Sequence, residues 1–535
     1  MENKKSCRQC NIEFAISSDD FAFYEKMGVP APTLCPRCRM QRRMLFYNDR
    51  SLYKRTCELC KKEVISGHRS DAPHPVYCQP CWWSDQWDPK NYGRDYDPNR
   101  SFFEQWSDLR DTVPVPALNN SYSTNVNSEY CNMCSYLKNC YLLFTSDFDE
   151  ECAYSSYLEK SRRCYDVDHG MECELCYNSI GLYKCYRVMN SSNVIESMDI
   201  SYSRDLRNCS HCFGCINLRG QQYCIFNEQK TKEQYFEEIK QYSRADAEKF
   251  FQTQPRKYMI GIGNTNVSGD HIFWSKNIHE SYEIVGGEDC KYCQFFIIGG
   301  NKNCLDVTMW GSNLMQAYEC CAVGNNQNNL IGCLECWNEA LNLAYCRLIY
   351  NSSNLFGCVS MRNQKYCILN KQYSQEAYET LRSKIKEQMI NDSEWGKFFP
   401  PAMALYGYNE SFANKYLPLT KEEALAKGFR WSEPEKRNYT IGGDVIACQH
   451  QESCNQQCTG AFRLTQNEKE FYAQMWIPVP RLCPNCRHYE RLKWRNGVGL
   501  YDKMCDKCGK EIRTSYAPDR PEIVYCESCY NKEIL

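Results

Sequence analysis

The chain has 535 residues, a formal net charge of −2, and 39 cysteines against eight histidines. That length allows several domains, and the balanced charge gives no global pull towards nucleic acid or a membrane surface. No run of 18 apolar residues is present, so no membrane-spanning helix is expected, and scarce histidine disfavours histidine-based catalysis.

The cysteine count is odd, and many cysteines come as C-x2-C, a spacing at which a disulfide is strained. The start, MENKKSCRQC, carries no apolar secretory segment. Reduced, metal-binding thiols in a cytoplasmic protein are therefore expected rather than a disulfide scaffold.

Residues 1–100 hold four cysteine pairs. Cys7/Cys10 is followed after 24 residues by Cys35/Cys38, and Cys57/Cys60 after 17 residues by Cys78/Cys81. Each C-x2-C turn aims two thiolates at one ion, and the second pair closes a tetrahedral shell with no position left for water. The spacing predicts two structural zinc sites in this module; iron–sulfur ligation is the alternative. The second pair of the first site opens a predicted helix, as in a treble clef or zinc ribbon. Arg37, Arg39, Arg42 and Arg43 follow it, with Phe46, Tyr47 and Tyr53 among them. Two readings stay open for these arginines. They can track a phosphate backbone while the aromatics stack on bases, or they can offset the −2 charge of a four-thiolate site.

Residues 115–380 hold 22 cysteines with a different spacing. A walk from Cys131 in alternating steps of 12 and 9 visits Leu143, Cys152, Cys164, Cys173, Cys185, Val194, Leu206 and Cys215. This reads as a solenoid of period 21 with two inward positions per period. The segments between stops are short, polar and rich in Tyr, Asn and Ser, which suits β-strands and turns. The expectation is a β-helix with thiol ladders in its core. Metal bound in the coils, through pairs such as Cys131/Cys134, Cys173/Cys176, Cys290/Cys293 or Cys333/Cys336, is the alternative. The motif YDVDHG, with Asp166, Asp168 and His169, reads as a solvated turn. With Asp147 and Asp149 it also makes a carboxylate face of the kind sugar-active β-helices use conceivable.

The solenoid is itself duplicated. CFGCINLRGQQYCIFNEQKTKEQY, from Cys212, aligns with LFGCVSMRNQKYCILNKQYSQEAY, from Leu355. Lobe 1 is placed at 115–245 and lobe 2 at 258–390, each ending in a capping helix started by Thr231 or Ser374. Cysteine spacing in lobe 2 is looser. Residues 391–436 read as a linker with a short helix from Thr420 to Gly428.

Residues 437–535 repeat the first module. Cys454/Cys458 is followed after 24 residues by Cys483/Cys486, and Cys505/Cys508 after 17 by Cys526/Cys529. One pair has x3 in place of x2, with Cys448 as an alternative ligand. Arg487, Arg491, Lys493 and Arg495 mirror the N-terminal basic segment.

The predicted fold is thus mainly β: a duplicated, cysteine-rich, β-helix-like solenoid flanked by zinc-ribbon or treble-clef modules, with short capping helices and about four zinc ions. The motifs FAFYEKMGVPAPTLCPRC, YCQPCWWSDQWDPKNYGRDYD and YAPDRPEIVYCESCY, with the two F-G-C…Q-x-Y-C-I-x-N segments, resemble a family of cysteine-rich zinc-ribbon proteins of the Patescibacteria. That resemblance implies zinc but no agreed activity; some members carry a CoA-transferase-type name, for which the chain offers neither a Rossmann-like glycine pattern nor βαβ alternation. The expected function is non-catalytic: zinc modules that bind RNA, DNA or a ribonucleoprotein, spaced by the solenoid. A protein-interaction scaffold using the solenoid faces is the main alternative, and an enzyme with a carboxylate-lined site on the solenoid a lesser one.

Overall fold

The computed structural model describes residues 3–435 and 439–534. The boundary drawn between residues 436 and 437 lies outside the described residues. The chain forms two compact units, and modules and lobes combine in them crosswise. One unit comprises Met1–Asn48, Tyr53–Ala117 and Met259–Ser432, so the N-terminal module packs with lobe 2. The other comprises Asp49–Leu52, Leu118–Tyr258 and Glu433–Leu535, so lobe 1 packs with the C-terminal module. Among the described residues no helix is long and apolar enough to cross a membrane.

The solenoid is built from three-residue units. In lobe 1, strands pair in parallel at a constant shift of 12 residues, as in Tyr165 with Tyr177 and Ile200 with Cys212. The core residues fall on every third position of one comb, from Cys131, Cys134 and Leu137 to Cys215 and Cys224. Two positions after each inward residue the backbone enters the left-handed region: Met133, Tyr136, Asn139 and Leu142 have φ of 60°, 54°, 54° and 51°. A 12-residue coil therefore has four inward side chains and four left-handed corners. This corrects the expected period of 21. Steps of 9 and 12 are both multiples of three, so the walk landed on inward residues whatever the coil length.

The left-handed corners explain the asparagines. A non-glycine residue there costs about 1–2 kcal/mol, least for Asn and Asp. Asn side chains at equivalent corners also bond from coil to coil: Asn178 Nδ2 donates to Asn190 Oδ1 at 2.8 Å, and Asn329 to Asn342 and Asn342 to Asn354 at 2.8 and 3.0 Å.

The inward cysteines are core thiols that do the work of serines. Ser179 Oγ donates to the Tyr177 carbonyl and accepts the Ser191 N–H one coil on, at 2.8 and 3.2 Å. Cys152 Sγ likewise donates to the Glu150 carbonyl and accepts the Cys164 N–H, at 3.4 and 3.3 Å. Small side chains that can donate back to their own coil suit so narrow a core.

In lobe 2 the pairing shift varies: 12 residues for Ile278 with Cys290, 14 for Cys290 with Cys304, 13 for Cys304 with Ala317. Each extra residue slips the comb, which is why cysteine spacing there looked loose. Both lobes close as expected. An antiparallel turn (Cys224 with Gln229, Cys367 with Gln372) leads into helix Lys232–Glu238 or Gln375–Asn391, with Thr231 and Ser374 as N-caps. The linker helix Lys421–Ala426 starts on a Thr420 capping box.

Candidate metal centres and their docking arginines

Four groups of four cysteines can each hold a metal ion: Cys7, Cys10, Cys35, Cys38; Cys57, Cys60, Cys78, Cys81; Cys448, Cys458, Cys483, Cys486; and Cys505, Cys508, Cys526, Cys529. In each group the first cysteine directly follows the first strand of a two-stranded antiparallel hairpin. Its N–H bonds the carbonyl two residues past the second cysteine: Ile12, Lys62, Gly460 and Lys510, at 2.8–3.0 Å. The third cysteine caps a helix, and its N–H bonds the first cysteine's sulfur at 3.2 Å in all four groups. These helices are Pro36–Met44, Gln79–Trp83, Pro484–Leu492 and Glu527–Ile534. Hairpin, thiolate turn and helix N-terminus make the treble-clef arrangement, and the helix dipole favours anionic sulfur there.

The spacing of the sulfurs is that of a metal shell. Cys10–Cys35, Cys60–Cys78 and Cys508–Cys526 Sγ atoms are each 3.7 Å apart. A disulfide needs about 2.05 Å, whereas four thiolates about 2.3 Å from a tetrahedral ion lie about 3.8 Å from one another. In the first group, hydrogen bonding by Cys38 draws the Cys35 thiol down to about 5, so one anionic sulfur is already favoured.

The third group corrects one ligand. Cys454 is not in the tetrad; Cys448 is, buried, in the place of Cys7. Val445–Ala447 pairs with Ala461–Arg463 just as Asn3–Ser6 pairs with Glu13–Ile16, so the residue after the first strand is the ligand. The clue in the sequence was the match of C-T-G-A-F at Cys458 with C-N-I-E-F at Cys10, which leaves Cys448 as the partner of Cys7. Among the described residues none of the lobe cysteines joins such a group.

The basic residues divide into two sets. Arg39 and Arg43 lie one turn apart on one helix face, buried against lobe 2. Arg39 Nε is 2.8 Å from Asp306 Oδ2; Arg43 Nη1 is 3.2 Å from Asp306 Oδ1 and 3.0 Å from Glu319 Oε2. Arg42, mostly covered, reaches Glu319 at 3.8 Å. In the other unit Arg487 and Arg491 take the same positions after Cys486. Arg491 meets Asp168 Oδ2 and Asp166 Oδ1 at 2.8 Å each, and Arg487 meets Asp166 Oδ2 at 3.1 Å. His488 Nδ1 lies 3.0 Å from Asp168 Oδ1. Burial opposes charge on all four arginines, but the carboxylates outweigh it, and each guanidinium is held more basic than usual. Burial raises Glu319, with Arg43 the first group opposing it. Arg37, on the opposite helix face, is exposed; so is Lys493, just past the end of Pro484–Leu492 and 2.6 Å from Glu490; Arg495 is half-buried.

Arg39, Arg43, Arg487 and Arg491, read as phosphate contacts or as charge compensation for thiolates, therefore bind solenoid carboxylates. YDVDHG is correspondingly a buried receptor and not a solvated turn. Asp149 also faces inward, accepting the Ser161 N–H at 2.7 Å, and burial pushes its carboxyl well above the usual range. Asp147 bonds Ser135. These four carboxylates thus make no open acidic face. Asp306 and Glu319 had no motif to mark them.

A second contact is also doubled. Asp20 closes the capping box of helix Ser18–Met27 and binds Lys291 at 2.8 Å. Glu468 closes that of Gln466–Met475 and accepts from Tyr154 and Tyr472, at 2.5 and 2.7 Å. Tyr165 stacks on Phe471 with ring centres 4.2 Å apart. No protein-family model matches the chain, and no curated protein matches it.

Proposed function

We propose that the four tetrads hold zinc as a structural ion and that the chain is a non-catalytic scaffold, whose metal modules lock onto solenoid lobes that present their outer faces to a protein partner. The observation that carries this reading is the use of both arginine pairs, each starting directly after a tetrad's last cysteine, to bind lobe carboxylates. Metal then organises the helix, the helix organises the arginines, and the arginines fix the module on its lobe. Four thiolates leave a zinc ion no open position for substrate.

A second reading, contact with RNA or DNA, rests on Arg37 and Lys493, which stay exposed on and just past these helices. One purification separates the two. Native protein is expected to carry zinc at four or more equivalents, and to retain a stoichiometric protein partner after nuclease treatment. Loss of every partner on nuclease treatment, with salt-dependent binding to a labelled oligonucleotide that Arg37→Glu/Lys493→Glu abolishes, would establish the nucleic-acid reading instead.

A further inference from the structure

The C-terminal tetrad differs from its N-terminal counterpart by an insertion: nine residues separate Cys448 from Cys458, where two separate Cys7 from Cys10. The inserted segment brings His450 and Cys454 to the tetrad's edge, where the ligand atoms of His450, Cys454 and Cys486 all lie within 4.8 Å of one another. Cys486 Sγ is 3.6 Å from Cys454 Sγ and 3.9 Å from Cys448 Sγ, so it stands at the end of two edges of metal-shell length. The Nδ1 of His450 is buried without a hydrogen-bond partner. The segment is tied down at several points: the Ser453 N–H bonds the His450 carbonyl at 2.8 Å, Gln456 bonds Glu490 at 3.0 Å, and Asn485 bonds the Gln457 carbonyl at 2.9 Å. Gln451, Glu452 and Gln457 hold left-handed conformations along it.

We propose that His450, Cys454 and Cys486 form a fifth metal site, joined to the tetrad through a bridging Cys486 thiolate. Charge favours this arrangement. Four thiolates around one divalent ion leave −2, whereas five thiolates around two such ions leave −1, and histidine adds a neutral donor. Two sulfurs and an imidazole suit a borderline-soft divalent ion such as zinc or cobalt. Three protein ligands leave one position for water or a small anionic or thiol ligand. The fifth site therefore differs in kind from the closed tetrads: its ion exchanges faster and can bind an external ligand.

The test is the metal content of the full-length chain after zinc loading and desalting, for wild type, His450→Asn and Cys454→Ser. Five equivalents in wild type and four in each variant are expected. In zinc-loaded wild type, Cys454 is expected to resist N-ethylmaleimide, and in His450→Asn to react at least tenfold faster. Far-ultraviolet circular dichroism checks that the variants fold, and the four ions they keep test the tetrads separately. Equal metal content in wild type and variants overturns the fifth site. So does a wild-type content of four that falls to three in Cys454→Ser, which would make Cys454 a ligand of the tetrad itself.

Discussion

Arg491 has no exposed surface and sits between two carboxylates and the Tyr154 carbonyl, which it reaches at 3.3 Å. Removing one partner of such a buried cluster strands the others: about 3–5 kcal/mol is expected, although the intact cluster contributes far less relative to an apolar replacement. Arg491→Met should accordingly lower the stability of its unit by about 3–5 kcal/mol in urea unfolding, and Asp166→Asn/Asp168→Asn in that background should recover part of the loss. Equal stability of Arg491→Met and wild type would show that the cluster is hydrated rather than buried. At this scale the cysteine tetrads were legible except for Cys448 in place of Cys454, because paired cysteines a fixed distance apart have few other uses. The role of the arginines was not legible. Their acceptors lie hundreds of residues away, 323 in the case of Asp168, and a short polar motif does not reveal what covers it.

The element scale is governed by the triplet. Each coil spends four residues on left-handed corners, and the chain fills many of them with Asn. Thr145, at φ 53°, is a costly occupant: it is β-branched, and its hydroxyl is buried without a partner. Thr145→Asn should stabilise lobe 1 by about 0.5–1.5 kcal/mol, raising its unfolding midpoint; a fall would mean that the methyl group's packing outweighs the strain. The sequence showed that the middle is a solenoid and that its cysteines face inward. It hid the coil length, since any walk in multiples of three stays on the comb. The Asn at corners was the available signal, because Asn recurring at 12 residues, as at Asn178 and Asn190, marks left-handed positions stacked in register. The capping helices were legible from their caps, since capping is local chemistry.

At the scale of the molecule, the proposed metal sites and the solenoid would divide the stability between them. The lobes stand on thiol, aliphatic and serine rungs with coil-to-coil backbone bonds, whereas the modules are small hairpin–helix units whose folding free energy, with zinc in the tetrads as proposed, would come largely from the ion. Hydrogen exchange after exhaustive zinc chelation should therefore show protection lost across residues 3–85 and 445–534 and kept in the coils between 132 and 225 and between 276 and 368. Loss everywhere at once would mean that modules and lobes form one cooperative whole. The duplication itself was plain in the sequence; the crosswise pairing was not, because nothing local distinguishes a lobe's own module from the other one.

That pairing sets a timetable for synthesis. Asp166 and Asp168 leave the ribosome long before Arg487 and Arg491 exist, and at roughly 5–20 residues per second the 323-residue interval to Arg491 lasts about 15–65 s. For that time the first lobe carries its receptor carboxylates open to water, until the segment that bears Arg487 and Arg491 is made. The N-terminal module waits in the same way for Asp306 and Glu319. Neither unit can be completed from one contiguous stretch of translation, so a chain broken off before residue 483 releases a finished solenoid lobe with an uncovered acidic socket.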